Sequence, residues 1–144
     1  MKNLLVLFGG VSPEHEVSLR SAEFVLSHID RLKYNVYAVG ITKEGQWKYY
    51  PSEDYAAIRE NHWQEAEGVC DAALSPSRGQ GLLILKPQGL EIVPIHCCFP
   101  VLHGENGEDG SIQGLMQVAG VPCVGPGVAA SASCMDKTMT KLVV

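Results

Sequence analysis

A run of five apolar residues, Leu4 to Phe8, constrains the fold most, because it ends directly at the glycine pair Gly9-Gly10. A strand that is apolar at every position is buried on both faces, as in a parallel sheet covered by helices. Ser12-Pro13-Glu14 follows and predicts a helix start, with Ser12 as the N-cap. Asn35 to Ile41 is a second apolar strand. The chain therefore opens with a right-handed, parallel β-α-β unit.

The last third repeats this pattern. His96 to Leu102 is another apolar strand, and a polar, glycine-rich segment runs from His103 to Gly110. A helix is predicted from about Ser111 to a glycine cap at Gly120. Val128 to Met135 reads as a further short helix. The expected fold class is α/β, with a Rossmann-like, parallel-rich sheet and helices on both faces.

The middle of the chain, residues 42–95, is less regular. A short strand is expected over Gln46 to Tyr50 and a helix over Asp54 to Asn61. Leu82 to Leu85 and Glu91 to Ile95 are separated by a Pro-Gln-Gly turn and predict a hairpin.

The carboxyl-terminal residues predict the start of another helix. Asp136 is a plausible N-cap, and Met139, Leu142 and Val143 recur at helical spacing without a stop signal. We therefore expect one domain over residues 1–135, and residues 136–144 to begin a second, truncated domain. The alternative is a short frayed helix at the end of the first domain.

Composition narrows the class of protein. An apolar fraction of 46% in 144 residues suits one globular domain, and a net charge of −5 without a basic stripe argues against a nucleic-acid partner. No run is long enough to span a membrane. The five cysteines are odd in number and lack CxxC spacing, so we expect a reducing, cytoplasmic compartment.

Two polar segments are candidates for a binding site. Both follow apolar strands, and in a parallel sheet such loops meet at one edge, where ligands bind. Glu14 could bind a ligand ammonium, or could only complement the dipole of its helix. His103 could bind a carboxylate or carry a proton, or could be a structural histidine.

Several common motifs are missing. The sequence has no GxGxxG dinucleotide fingerprint, no P-loop and no GxSxG nucleophile elbow. The histidines and cysteines lack ligand spacing, so no metal site built by protein ligands is expected. The residues alone predict an α/β domain with a ligand crevice.

Four segments stand out in order along the chain: Gly9-Gly10-Val11-Ser12-Pro13-Glu14-His15-Glu16-Val17-Ser18-Leu19, Phe99 to Gly104 with Gly107 to Gly114, Val124-Gly125-Pro126-Gly127, and Ser131-Ala132-Ser133-Cys134-Met135-Asp136-Lys137. Together they resemble the D-alanine–D-alanine ligases. Each segment alone is a weak signal, but the ordered set is specific. The resemblance covers both ends of the chain, and residues 42–95 are where we expect members of the family to differ.

The resemblance implies an ATP-grasp ligase of peptidoglycan precursor synthesis. In that family ATP phosphorylates the carboxylate of one D-alanine, and the amine of a second D-alanine attacks the acyl phosphate. By the matching motifs, Glu14 and His103 would be the catalytic residues, holding the ammonium and the carboxylate of the first D-alanine. Val17 and Ser18 would line the substrate pocket, and Lys137 would bind the ATP phosphates.

The same resemblance leaves other points as expectations. ATP and magnesium would be bound mainly by the part of the ligase that follows residue 144, and the enzyme would be a homodimer. D-serine or D-lactate could replace the second D-alanine. A non-catalytic binding module, or a flavodoxin-like nucleotide binder, would be an alternative of another class.

Overall fold

The computed structural model describes residues 1–144 as a seven-stranded sheet with helices on both faces. The elements in chain order are β1 (Lys2–Gly9), α1 (His15–His28), β2 (Tyr34–Ile41), β3 (Trp47–Tyr50), α2 (Tyr55–Arg59), a 3₁₀ turn (Trp63–Glu65), β4 (Cys70–Leu74), β5 (Leu82–Lys86), β6 (Gly89–Val93), β7 (Cys97–Leu102), α3 (Ser111–Ala119), α4 (Val128–Met135) and α5 (Lys137–Val143).

The strand order is β6-β5-β4-β3-β2-β1-β7. The pairs β1–β2 and β1–β7 are parallel, and the other four pairs are antiparallel. The predicted α/β class is therefore confirmed, with a mixed sheet whose parallel part is limited to β2, β1 and β7. The antiparallel half arises because the connections after β2, β4 and β5 are too short for the crossover that parallel pairing needs.

Two apolar clusters pack on opposite faces of the sheet, and β1 contributes to both. Leu4, Val6 and Phe8 join α1, α2 and Trp63 on one face. Leu5 and Leu7 join α3 and the strands β4 to β6 on the other face. Burial on both faces is the reason that every position from Leu4 to Phe8 is apolar.

Helix α1 begins at His15, three residues after the predicted N-cap. The Ser12 hydroxyl accepts the N–H of Glu14 (3.0 Å), and the N–H of His15 bonds to the Ser12 carbonyl (3.1 Å). Ser12 therefore forms a turn that precedes the helix, and Glu14 takes the N-cap position. The predicted N-cap of the last helix is confirmed, because the Asp136 carboxylate accepts the N–H groups of Thr138 and Met139.

The middle of the chain departs most from expectation. Strand β4 was not predicted, because its sequence Cys-Asp-Ala-Ala-Leu has little of the β-branched or aromatic character of strands. The hairpin is present, but its second strand begins at Gly89 and ends at Val93. None of the helices combines the length and the hydropathy that a membrane span requires.

Candidate functional site

The two polar loops lie side by side, because β1 and β7 are neighbouring parallel strands. Gly9, at the end of β1, pairs with Leu102, at the end of β7. Gly9 has a φ of 86°, and a Cβ there would stand 2.2 Å from the Ile41 carbonyl oxygen. Only glycine can turn the chain this close to β2. The predicted meeting of the two loops at one edge is therefore what the fold produces.

Gly104 brings the Glu14 side chain against the loop that begins at His103. A Cβ built on Gly104, whose φ is 73°, would lie 2.6 Å from Glu14 Oε2 and 2.5 Å from Ser12 Oγ. Any larger residue would push the carboxylate away. The sequence motif thus has a steric cause, and the carboxylate of Glu14 lies over the backbone next to His103.

His103 is half-buried, and its Nε2 atom lies 3.0 Å from the hydroxyl of Ser21 on α1. The imidazole forms no ion pair with Glu14 within 4.0 Å. The Glu14 carboxylate and Nδ1 of His103, on adjoining loops, have no hydrogen-bond partner within the chain. A free carboxylate and a free imidazole nitrogen of this kind can bind opposite ends of a small zwitterion.

The loop after His103 is held by its own acidic residues. Glu108 accepts the N–H of Gly104 (2.8 Å), while Asp109 accepts those of Asn106 (2.9 Å) and Ser111 (3.0 Å). Partial burial acts to raise the pKa of the Asp109 carboxyl, but the N–H groups outweigh it and hold the pKa below its ordinary value. The loop is therefore shaped before any ligand arrives.

Val17 and Ser18 occupy different positions relative to the crevice. Val17 is 49% exposed on the first turn of α1. Ser18 is fully buried; its hydroxyl accepts the N–H of Gly9 (2.8 Å) and donates to the Val101 carbonyl. Ser18 therefore lies behind the crevice and ties α1 to the ends of β1 and β7. Its expected place on the lining of the substrate pocket stays a prediction.

Sequence reasoning missed two residues that shape this edge. His15 is only 2% exposed, and its Nδ1 lies 2.7 Å from the Gly10 carbonyl oxygen. Ser21 contacts His103 directly. Helical spacing is the one feature of the sequence that could have indicated Ser21, because it follows Val17 by four positions and lies on the same face of α1.

Two cavities flank His103. The smaller, of about 260 Å³, lies between the loops after β1, β2 and β7 and the first turn of α3. The larger, of about 550 Å³, lies between β7 and α4. His103 lines both, whereas Glu14 lines neither. Lys137 is exposed two residues after Met135, which lines the larger cavity, and its ammonium forms no ion pair.

Comparison of the chain with models of known protein families identifies the family that carries this site. The family model described as the D-ala D-ala ligase N-terminus matches residues 3–126. The chain belongs to this family. The match includes the turn at Glu14, the loop from His103 to Gly110 and helix α3, so the family assignment rests on the site as well as on the sheet.

Curated relatives agree with the assignment. The D-alanine–D-alanine ligase of Thermoanaerobacter sp. (strain X514) is 44% identical over 142 residues, which is 99% of this chain and 39% of the relative. The D-alanine–D-alanine ligase of Clostridium acetobutylicum is 45% identical over 143 residues, again 99% of this chain and 38% of the relative. The chain therefore spans about two fifths of the length of the curated relatives it matches.

Solved structures share the same fold. The VanG D-Ala:D-Ser ligase from Enterococcus faecalis matches with a TM-score of 0.89 and 41% identity, over 99% of this chain and 41% of that structure. The D-alanine–D-alanine ligase from Coxiella burnetii matches with a TM-score of 0.84 and 29% identity, over 99% and 40%. The mixed sheet, including its antiparallel half, is thus a property of solved ligase domains.

Proposed function

We propose that this chain is the amino-terminal, substrate-binding domain of an ATP-dependent D-alanine–D-alanine ligase that makes the dipeptide precursor of peptidoglycan. The observation that supports this most is the approach of the Glu14 carboxylate to Gly104, beside an imidazole that it does not pair with. The names of the relatives support the same reaction class.

The proposed substrate is the zwitterion of the first D-alanine. Glu14 would accept hydrogen bonds from its ammonium, and His103 would donate one to its carboxylate. Each charge-assisted bond contributes about 1.5–3 kcal/mol. Val17 would pack against the methyl group. Held at both ends, the substrate would keep its carboxylate fixed for reaction, which is how orientation lowers a barrier.

ATP and magnesium would be bound mainly by residues that follow this domain. When bound, ATP supplies the phosphoryl group that turns the D-alanine carboxylate into an acyl phosphate with a good leaving group. Lys137 fits a part in that site, because its ammonium is exposed and unpaired and can screen phosphate charge. The Asp136 carboxylate already accepts the two N–H groups that it caps at the start of α5, so it is not proposed as a ligand.

The test is a substrate panel with the complete ligase that carries this domain. ATP-dependent release of phosphate should require D-alanine, and the product with D-alanine alone should be the dipeptide. Preferential consumption of D-serine or D-lactate as the second substrate would change the assignment to the D-Ala:D-Ser or D-lactate type. Binding of D-alanine without phosphate release would instead support a non-catalytic binding module.

We also propose that the ligase is a homodimer that assembles through α1. Phe24 is 65% exposed on this helix and stacks on His28, with the ring centroids 4.3 Å apart, while the nearby Leu32 is 88% exposed. Exposed apolar residues of this kind support an interface.

Light scattering should give twice the monomer mass, and Phe24→Glu should give the monomer. A monomeric wild-type protein at high concentration would contradict the proposal.

The proposed location is the cytoplasm, where the precursor would be made. The five cysteines are free, and Cys98 is fully buried among core residues, as in proteins that fold in a reducing compartment. Fractionation of cells that express the complete ligase tests this directly.

A further inference from the structure

The hydroxyl of Ser21 lies within hydrogen-bond distance of two groups, a backbone carbonyl oxygen and a ring nitrogen of His103. Its Oγ lies 3.1 Å from the carbonyl oxygen of Val17, one turn earlier, and 3.0 Å from Nε2 of His103. A carbonyl oxygen can only accept a hydrogen bond, so the contact with Val17 takes the single hydroxyl proton. The side of Oγ that faces His103 is then an acceptor.

We infer that Ser21 is a positioning residue, which holds His103 in the tautomer that carries its proton on Nε2. Nδ1, which forms no hydrogen bond within the chain, is left as the ring nitrogen that gains or releases a proton. Because Nε2–H donates in both the neutral and the protonated ring, the bond to Ser21 persists when the charge of His103 changes. The ring therefore keeps its orientation through a proton exchange.

The contribution to ligand binding rests on the proposed function, whereas the tautomer does not. If the crevice binds the carboxylate of an amino acid, Nδ1 is the atom that would donate to it. The ring would then have to be protonated, with both nitrogens engaged and the imidazole clamped between α1 and the ligand.

Three other histidines supply references within the same molecule. His15 and His28 each place Nδ1 at 2.7 Å from a carbonyl oxygen, so each must carry its proton on Nδ1 when neutral. His96 accepts the N–H of Asn3 at its Nδ1 (2.9 Å), so its proton is on Nε2. His103 should resemble His96 and differ from His15 and His28.

The experiment is long-range ¹H–¹⁵N correlation of the imidazoles in the ¹⁵N-labelled chain, at a pH where they are neutral. The expected pattern for His103 is a pyridine-type Nδ1 and a pyrrole-type Nε2. In Ser21→Ala the Nε2 proton should exchange with solvent roughly three- to tenfold faster, as expected for a lost hydrogen bond, and the ring should become a mixture of tautomers. Ser21→Thr keeps the hydroxyl and should restore the wild-type pattern. Ser27→Ala, at an exposed position of the same helix, should change nothing.

A proton on Nδ1 of His103 in the wild-type chain would overturn the inference, whatever the variants do. So would an unchanged tautomer and exchange rate in a Ser21→Ala protein whose backbone amide spectrum shows the native fold. Titration with D-alanine separates this inference from the proposed function. If His103 has the expected tautomer but the NMR signals of its ring do not change when D-alanine is added, the positioning role of Ser21 stands and the substrate assignment fails.

Discussion

At the scale of single residues, the acids of the loop after His103 act as acceptors for the backbone. Asp109 accepts two N–H groups of its own loop, and the pKa of its carboxyl lies below the ordinary value as a result, although partial burial opposes this. An unfolded aspartate titrates near pH 3.9. A carboxyl with a lowered folded pKa stabilises the fold above pH ~3.9, and this stabilisation is lost as the pH falls through the folded value.

Asp109→Asn should therefore lower the free energy of unfolding at neutral pH, by about 1 kcal/mol or less because solvent screens the charge. The difference between wild type and variant should shrink as the pH falls below about 4. Urea unfolding at several pH values measures this. A difference that stays constant from neutral to acidic pH would show that the charge of Asp109 contributes nothing.

At the scale of secondary structure, the packing of β2 depends on a glycine that faces two aromatic rings. A Cβ on Gly40 would lie 2.3 Å from Cη2 of Trp63 and 2.8 Å from Cε2 of Phe8. These rings meet edge to face, with centroids 5.0 Å apart, and both are fully buried. Gly40→Ala should destabilise the domain by roughly 1–3 kcal/mol, because a core packed this closely cannot absorb a methyl group.

Gly114→Ala is the matched control for this substitution. Gly114 lies inside α3, and a Cβ there would meet no atom within 4 Å. The change should stabilise the domain by about 0.5–1 kcal/mol through helix propensity. Denaturation midpoints of the two variants measure this. The prediction is contradicted if Gly40→Ala is neutral or if both substitutions shift the midpoint in the same direction.

The elements that sequence predicts well are those whose local pattern agrees with their environment. β1, β2, β7, α1 and α3 combine uninterrupted or periodic apolar residues with glycine or capping signals. β4 and the 3₁₀ turn at Trp63 lack such patterns, because they are held by cross-strand pairing and by burial of a single ring. Strand direction in the second half of the sheet follows from the short connections, and it could be predicted only for the hairpin of β5 and β6, where both strands had been predicted.

The candidate site divides in the same way. The proximity of Glu14 and His103 could be predicted, because it depends only on two loops leaving neighbouring parallel strands. The contacts of Ser18 with Val101 and of Ser21 with His103 could not, because they depend on how α1 packs against the end of β7. The roles of Glu14, Val17, Ser18, His103 and Lys137 toward a ligand remain predictions, to which family resemblance gave more weight than local chemistry did.

At the scale of the whole molecule, the proposed function gives this domain one part of a reaction centre. Phosphoryl transfer requires the nucleotide, magnesium and the carboxylate to be held together, because most of the rate comes from positioning and charge screening. Lys137 is the one proposed nucleotide contact in this chain, and the helix that carries it exposes Leu142 and Val143 to solvent.

Residues 1–144 alone should therefore release no phosphate from ATP in the presence of magnesium and D-alanine. The Glu14→Gln form of the same chain is the control for contaminating activity. Phosphate release by the wild-type chain above this control would mean that the catalytic groups lie within this domain.

The most direct test of the account is the steady-state kinetics of Glu14→Gln in the complete ligase that carries this domain, with Glu16→Gln as the matched control. Both acids stand at the start of α1, but Glu16 pairs with Lys43, whereas Glu14 lies against Gly104. If Glu14 binds the ammonium of the first D-alanine, its substitution should raise the KM for that substrate roughly ten- to hundredfold and change the KM for ATP little. Glu16→Gln should leave both constants close to wild type. Unchanged D-alanine kinetics in Glu14→Gln, or equal effects of the two substitutions, would reduce Glu14 to a helix-dipole role and contradict the proposed site.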